Sequence, residues 1–175
     1  MSGTGPPVVH TERLEVYVAD CGVIYLLDEE GYDAPGVSED SVGLVQVEAA
    51  GVVCLHIAAQ AGEVPFTVAV ADQDPGACLD GYEDVVEISF ETVASELVVA
   101  GWATDWREDK AHRLPLPAGP GTYRLRYHTQ GDDENWEEDG YYLQIWPAPR
   151  QDPAVLKSTS QFLPYLLDPE GWKPR

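Results

Sequence analysis

Apolar and polar positions alternate along most of this chain in short runs. Leu14, Val16 and Val18 alternate with Glu15 and Tyr17, and Val64, Phe66, Val68 and Val70 repeat the pattern. Val86, Ile88 and Phe90 point one way while Glu87, Ser89 and Glu91 point the other. Tyr123, Leu125 and Tyr127 share a face opposite Arg124 and Arg126. A period of two predicts strands with one buried face.

Punctuation between the runs predicts how they connect. Strand 14–18 and the run VIYLLD are expected to form a hairpin across Asp20, Cys21 and Gly22. Val42 to Glu48 and Val52 to Ala58 are expected to pair around Gly51, with YRLRYHT and YYLQIWP joined by the acidic connection QGDDENWEEDGYY. Pro65 places the start of its strand at an edge or a bulge, because proline has no N–H to give a ladder. DEEGYDAPGVSED and ADQDPGACLDGYED read as acidic loops, and ELVVAGW and HRLPLP as further strands.

The end of the chain reads differently. Asp152 followed by Pro153 has the form of a helix start, and Leu156, Thr159, Leu163 and Leu166 share a helical face that Pro164 limits or kinks. The expectation is a mainly β fold: an antiparallel β-sandwich of about eight to ten strands with one short C-terminal helix. At 175 residues, 44% of them apolar, the chain is read as one domain, with 1–9 a flexible N-terminus and 151–175 a C-terminal helical extension.

Charge changes this picture most. Thirty-one acids against 10 Lys and Arg give a net charge of −21. Residues 14–106 hold 19 acids and no Lys or Arg, whereas 107–175 hold 9 bases and 11 acids. The first half therefore repels itself unless the second half folds its bases over it. Such a surface excludes binding to naked nucleic acid, which needs a basic footprint, and matches a basic protein partner. Solubility, or adaptation to salt, is the bland alternative.

Candidate chemistry is sparse. Neither G-x-S-x-G, nor H-E-x-x-H, nor a phosphate-binding loop occurs, so no catalytic residue is assigned. His128 with Asp132 or Asp133 is an acid–base pair in form only, since a surface histidine among acids is common; His112 is the other histidine an enzyme reading would use. Cys21, Cys54 and Cys78 show neither disulfide nor zinc spacing and read as reduced thiols, Cys54 as a core residue. An EF-hand beginning at Asp133 fails because Glu138 stands where glycine is needed and Gln144 where glutamate is needed. No cofactor or metal ligand is assigned. Calcium held by the loops from Asp28 to Asp33, Asp72 to Asp84 and Asp132 to Asp139, as in a C2-like sandwich, is the alternative reading. No apolar run is long enough to span a bilayer, and MSGTGPPVVHTER has no signal-peptide form, so a cytoplasmic protein without membrane contact is expected.

Residues two apart on a strand lie about 6.8 Å apart on one face, a spacing near that of successive phosphates along a nucleic-acid strand. Glu83, Glu87 and Glu91 have the parity to share such a face. Asp132, Asp133, Glu134, Glu137, Glu138 and Asp139 surround Trp136, an aromatic of the kind that anchors interfaces. These ten residues are the candidate partner-binding set. The loop alone sits in the charge-balanced half and reads as the rim of a surface.

One resemblance bears on the partner. GEVPFTVAV, VVEISFETVASEL and HRLPLPAGPGTYRLRYHT follow the order of features in the ComJ family of small acidic competence proteins. The match rests on Val64-Pro65-Phe66, Ile88-Ser89, and Leu116-Pro117 through Gly121 and Tyr123, and covers roughly residues 60–130. The resemblance implies a nuclease-binding, inhibitory or immunity role, and assigns no individual residue. The expected function is thus an acidic binding protein that neutralises a basic partner, a nuclease or nuclease toxin.

Overall fold

The alternation is realised strand by strand. In a computed structural model describing residues 5–18, 22–29, 40–49, 51–58, 62–101, 111–130, 140–171 and 173, twelve strands form two six-stranded sheets. The first sheet has the order β1 (Val9–Val18), β6 (Gly62–Ala71), β11 (Gly140–Pro147), β10 (Gly121–Gln130), β7 (Asp84–Thr92), β12 (Ala154–Ser158). The second has the order β3 (Asp40–Ser41), β4 (Val45–Ala49), β5 (Val52–His56), β2 (Val23–Leu27), β8 (Glu96–Gly101), β9 (His112–Pro115). All pairings are antiparallel except β6 with β11, which run parallel. Leu14, Val16, Phe66, Val68, Ile88, Leu125, Tyr127 and Ile145 from the first sheet meet Ile24, Leu26, Leu55, Leu97 and Val99 from the second in one core. This is the expected β-sandwich with one short C-terminal helix, built of twelve strands where about eight to ten were expected because short edge strands such as Asp40–Ser41 and Ala154–Ser158 carry no clear alternation.

Two expected hairpins are present. Strands β4 and β5 pair around Gly51, whose φ of 76° is the left-handed conformation a tight turn asks of glycine. Strands β10 and β11 pair from Tyr123–Pro147 to Gln130–Gly140. A third is not. Strand β1 pairs with β6 in one sheet, while β2 pairs with β5 and β8 in the other. Alternation specifies which face of a strand is buried, and both strands do bury theirs; it carries no information on which sheet supplies the ladder. Pro65 lies where β6 has β1 beside it but not β11, whose pairing spans only Thr67–Val70.

The C-terminal segment also departs from expectation. Asp152-Pro153 opens strand β12, and the helix α1 is the six-residue Phe162–Leu167. A neighbouring strand overrides the helical spacing, since β12 finds β7 open on that side. Ser160 lies just before α1: its Oγ accepts from the N–H groups of Phe162 and Leu163 and donates to the buried Asp84 carboxylate. Asp84 also accepts from the N–H groups of Thr159 and Ser160. Pro164 falls in the first turn, where no intrahelical N–H is needed. Leu163 is fully buried beside Gly43.

Candidate partner-binding surface

With Val86, Ile88 and Phe90 turned inward on β7, Glu87 and Ser89 project from the outer face of the first sheet. Arg124, Arg126 and His128 do so from β10, and Tyr142, Gln144 and Trp146 from β11. An outer face normally meets water. Here residues 72–83 run across it as a strap and residues 148–152 cross beside Arg124, so both arginines, His128 and Gln144 are buried.

Burying guanidinium groups demands partners, and they are supplied to every nitrogen but Arg124 Nε, which is buried without a hydrogen bond. Arg126 donates to Glu87 at 2.7 and 2.9 Å, to both Asp74 oxygens at 2.9 and 3.1 Å, and to Gln144 Oε1 at 2.8 Å. Its guanidinium also lies 4.7 Å from the Trp146 ring. Arg124 donates to Ser89 Oγ and to the Gln151 and Asp152 carbonyls, with Glu87 at 3.4 Å. Gln144 donates in turn to the Gly76 carbonyl at 2.9 Å. Two arginines, Glu87 and Asp74 therefore form a charge-balanced layer that fastens the strap. Burial alone would raise the Asp74 pKa, yet the hydrogen bonds and charge of Arg126 and the Gly76 N–H bring it below the usual carboxylate range.

The six ion pairs among the described residues share one rule. Each joins a base after residue 106 to an acid before it: Arg113 to Glu29 and Glu96, Arg124 to Glu87, Arg126 to Asp74 and Glu87, Arg150 to Asp40. The C-terminal half does fold its charge back over the N-terminal half. It neutralises only part of the excess: Glu15, Glu63, Asp80 and Glu91 make no ion pair within the described residues.

The candidate set is dispersed by this geometry. Glu87 is committed to two arginines and leaves the outward row. Glu91 is exposed at the far end of β7. Glu83 is half-buried just before β7, its N–H bonded to Thr129 and its carbonyl to the Thr159 N–H and Oγ1, with one buried carboxylate oxygen lacking a hydrogen bond. Asp132, Asp133, Glu134, Trp136, Glu137, Glu138 and Asp139 lie outside the described residues. Their flanks are placed: Gln130 pairs with Gly140, and Gly140 lies beside the Tyr82 ring, next to Glu83.

Three carboxylates of the calcium reading are engaged within the fold, while Asp132 to Asp139 lie outside the described residues. Asp28 accepts from Thr92 Oγ1 and the N–H groups of Val93 and Ala94, Asp84 accepts from Thr159 and Ser160, and Asp74 holds Arg126. Among the described residues, no group of three or more His, Cys, Asp and Glu is arranged to hold a metal ion. Cys54 is a buried free thiol with its pKa pushed up to about 12 by burial and by Glu48, so it stays protonated. No helix of the described residues is long and apolar enough to cross a membrane.

His128 is fully buried between the rings of Tyr82 and Tyr142, each 5.0 Å away. The Tyr142 carbonyl can only accept, so Nδ1 carries the hydrogen and Nε2 accepts from the Cys78 N–H, both at 3.1 Å. Burial, with a smaller push from Arg126, lowers its pKa to about 4. A folded pKa below the unfolded value means the unfolded chain binds the extra proton first as pH falls. Stability is thus expected to decline from about pH 6.5 to about pH 4. His56, lowered by burial, adds in the same direction. Thermal melts across this range should show the decline, and His128→Gln should flatten it; an unchanged slope in the variant would assign the effect elsewhere.

Sequence reasoning placed Arg124 and Arg126 correctly on one face but missed that the face is covered. One signal was available: bases are so scarce that two on a central strand, opposite an acid-bearing strand, are more useful paired than exposed.

No family model matches the chain, and no curated protein does. Among solved structures it is similar to ComJ, inhibitor of the DNA degrading activity of NucA, from Bacillus subtilis, with 12% identity and a TM-score of 0.53 over 81% of this chain and 99% of that one. It also matches Crocagin biosynthetic gene J, with 15% identity and a TM-score of 0.46 over 83% and 100% of the two chains. The resemblance to ComJ read from residues 60–130 therefore extends over most of the chain, as a likeness of fold.

Proposed function

We propose that this chain is an inhibitor or immunity protein of the cytoplasm that binds a basic partner, a nuclease or nuclease toxin, and occludes its active cleft. The likeness of fold to an inhibitor of a DNA-degrading nuclease carries this reading. The charge supports it, because a cleft that grips phosphates is lined with Lys and Arg, and carboxylates left over after internal pairing meet them. On the chain's side the contacts are Glu83, Glu91, Asp132, Asp133, Glu134, Glu137, Glu138 and Asp139, with Trp136 as the apolar anchor. Glu87 contributes by fixing Arg124 and Arg126 rather than by touching the partner.

Exposed charge pairs each contribute about 0–1 kcal/mol, so the acids mainly accelerate encounter and set its salt dependence. The test is DNA degradation by purified basic nucleases, NucA first among them, at rising concentrations of the protein. Inhibition is expected, weakening steeply between 50 and 300 mM salt (about a Debye length's contraction from 14 to 6 Å). The combined charge reversal Glu91→Lys, Glu137→Lys, Glu138→Lys should slow association about tenfold or more. Undiminished DNA degradation by every nuclease at low salt, with the protein folded, would refute the proposal.

A further inference from the structure

Strand β1 is an outer strand of the first sheet, and its phase decides which of its backbone groups are used. In an antiparallel pair every second residue exchanges N–H···O bonds with its neighbour, and the residues between point the other way. The Asp72 N–H donates to the Val8 carbonyl, one step before the Val9–Ala71 pair, so the even residues of β1 face β6. Pro65 agrees with this phase, because it stands opposite Glu15, where β1 asks no N–H of β6. The odd residues face away. The Glu15 carbonyl accepts from His112 Nε2 at 2.8 Å, and the Tyr17 carbonyl lies against Gly101 of β8.

Nearer the N-terminus that side is open. Val9, Thr11 and Arg13 turn their N–H and C=O groups outward, and among the described residues nothing bonds to them there. Val9 to Arg13 are all exposed. The free groups recur about every 6.8 Å along a straight strand, which is the template another strand needs. Proline or a bulge would blunt such an edge, but 9–13 contains no proline and its register with β6 is unbroken.

We infer that a second copy of the chain adds its own β1 here, antiparallel, about a two-fold axis at Thr11. The residues fix the register. With Thr11 opposite Thr11 of the second copy, Val9 faces Arg13, His10 faces Glu12, and every free N–H meets a free carbonyl. Sliding by two residues either way strands some of these groups and sets His10 against His10 or Glu12 against Glu12. The His10–Glu12 pair is of the kind without mutual backbone bonds, whose side chains lie closest, and an imidazole N–H can donate to the carboxylate. Pro7 of the second copy falls opposite Glu15, whose carbonyl His112 already holds; lacking an N–H, it leaves no donor unanswered there. Charge also favours this occupant. Two net charges of −21 repel, but 9–13 is formally neutral, Glu12 offsetting Arg13, and salt at 0.15 M screens charges more than about 8 Å apart. A basic partner's strand would gain no attraction from a neutral edge.

Sedimentation velocity of the full chain, from about 10 to about 500 µM, tests this. A reversible dimer is expected, weak because the strand contact is short, and tightened by salt, the reverse of the salt dependence expected of nuclease inhibition. Amide exchange followed by NMR locates it: Val9, Thr11 and Arg13 should slow about tenfold or more as concentration rises, while His10 and Glu12, already bonded to β6, change little. Thr11→Pro removes an N–H that β6 does not use, so it should melt near the parent and abolish the dimer. His10→Glu sets acid against acid and should weaken the dimer about tenfold, and adding Glu12→Lys should restore it. That charge swap keeps the test decisive if the proline unfolds β1. A monomer at every concentration, a dimer that survives in folded Thr11→Pro, slowed exchange only elsewhere, or no recovery in the swapped variant would each overturn the inference. Protection of these amides by a nuclease alone, without self-association, would also overturn it and give the edge to that partner.

Discussion

Gly101→Ala is expected to destabilise the protein more than any other single-methyl addition among its described glycines. Gly101 ends β8, where β1 of the opposite sheet crosses close to it. A Cβ built there would fall inside the carbonyl oxygen of Tyr17, 2.9 Å from the Tyr17 carbonyl carbon and 3.1 Å from Val18 Cα. All three are backbone atoms, so no side chain can rotate aside; β1 or β8 must move. Strand β1 is held along its length by β6, and β8 lies between β2 and β9, so a shift of either strains a ladder. Adding a methyl to a packed site costs about 1–3 kcal/mol, and a clash with backbone belongs at or above the upper limit. For a chain of this size about 3 kcal/mol lowers Tm by about 6–12 °C. Thermal and urea unfolding of Gly101→Ala measure it. Gly119→Ala makes a useful contrast: a Cβ there meets nothing within 4 Å, although the φ of 75° still strains it. A Gly101→Ala protein as stable as the parent would mean that the two sheets are not held this close.

Arg126→Met should be the most damaging change on the outer face of the first sheet. Arg126 is 5% exposed and Glu87 12%, so removing the cation leaves a carboxylate in a place where water does not replace the lost partner. Arg124, at 3.4 Å, answers only one Glu87 oxygen. Breaking a buried pair by deleting one partner costs about 3–5 kcal/mol. Most of that loss is assigned to Glu87, because Asp74 is 55% exposed and can rehydrate. Arg126→Lys should recover little, since one ammonium cannot span Glu87, Asp74 and Gln144 as the planar fork does. Adding Glu87→Gln to Arg126→Met should restore part of the stability by removing the stranded charge. Hydrogen exchange at the Cys78 N–H reports the strap directly and should accelerate in Arg126→Met. Equal stability of Arg126→Met and the parent, or no gain from the second substitution, would contradict the account of the layer.

Both results turn on features of unequal legibility. The faces of β7 and β10 were readable residue by residue, because a period-two pattern reports burial directly. The arginine layer was half readable: the pattern put Arg124 and Arg126 opposite the core, but nothing local to either says that a strap returns to cover them, with Asp74 52 residues before Arg126. The close approach at Gly101 left no trace, since glycine at a strand end is ordinary until a strand from the other sheet is known to pass. The row of Glu83, Glu87 and Glu91 failed as a continuous track because parity assigns a face and says nothing of what else claims that face.

By itself, the sequence determined that this is a β-sandwich of alternating strands, with an acid surplus in its first half and nine of its 10 Lys and Arg after residue 106. Those properties are local or additive, and a chain displays them before it folds. Only the tertiary structure decided that β1 and β2 enter different sheets, that β12 is a strand rather than a helix, and that Glu87 is spent internally. Ladder partners, covered faces and ion pairs are choices among groups distant in sequence, settled by which arrangement buries the core and gives the buried guanidinium groups of Arg124 and Arg126 a carboxylate.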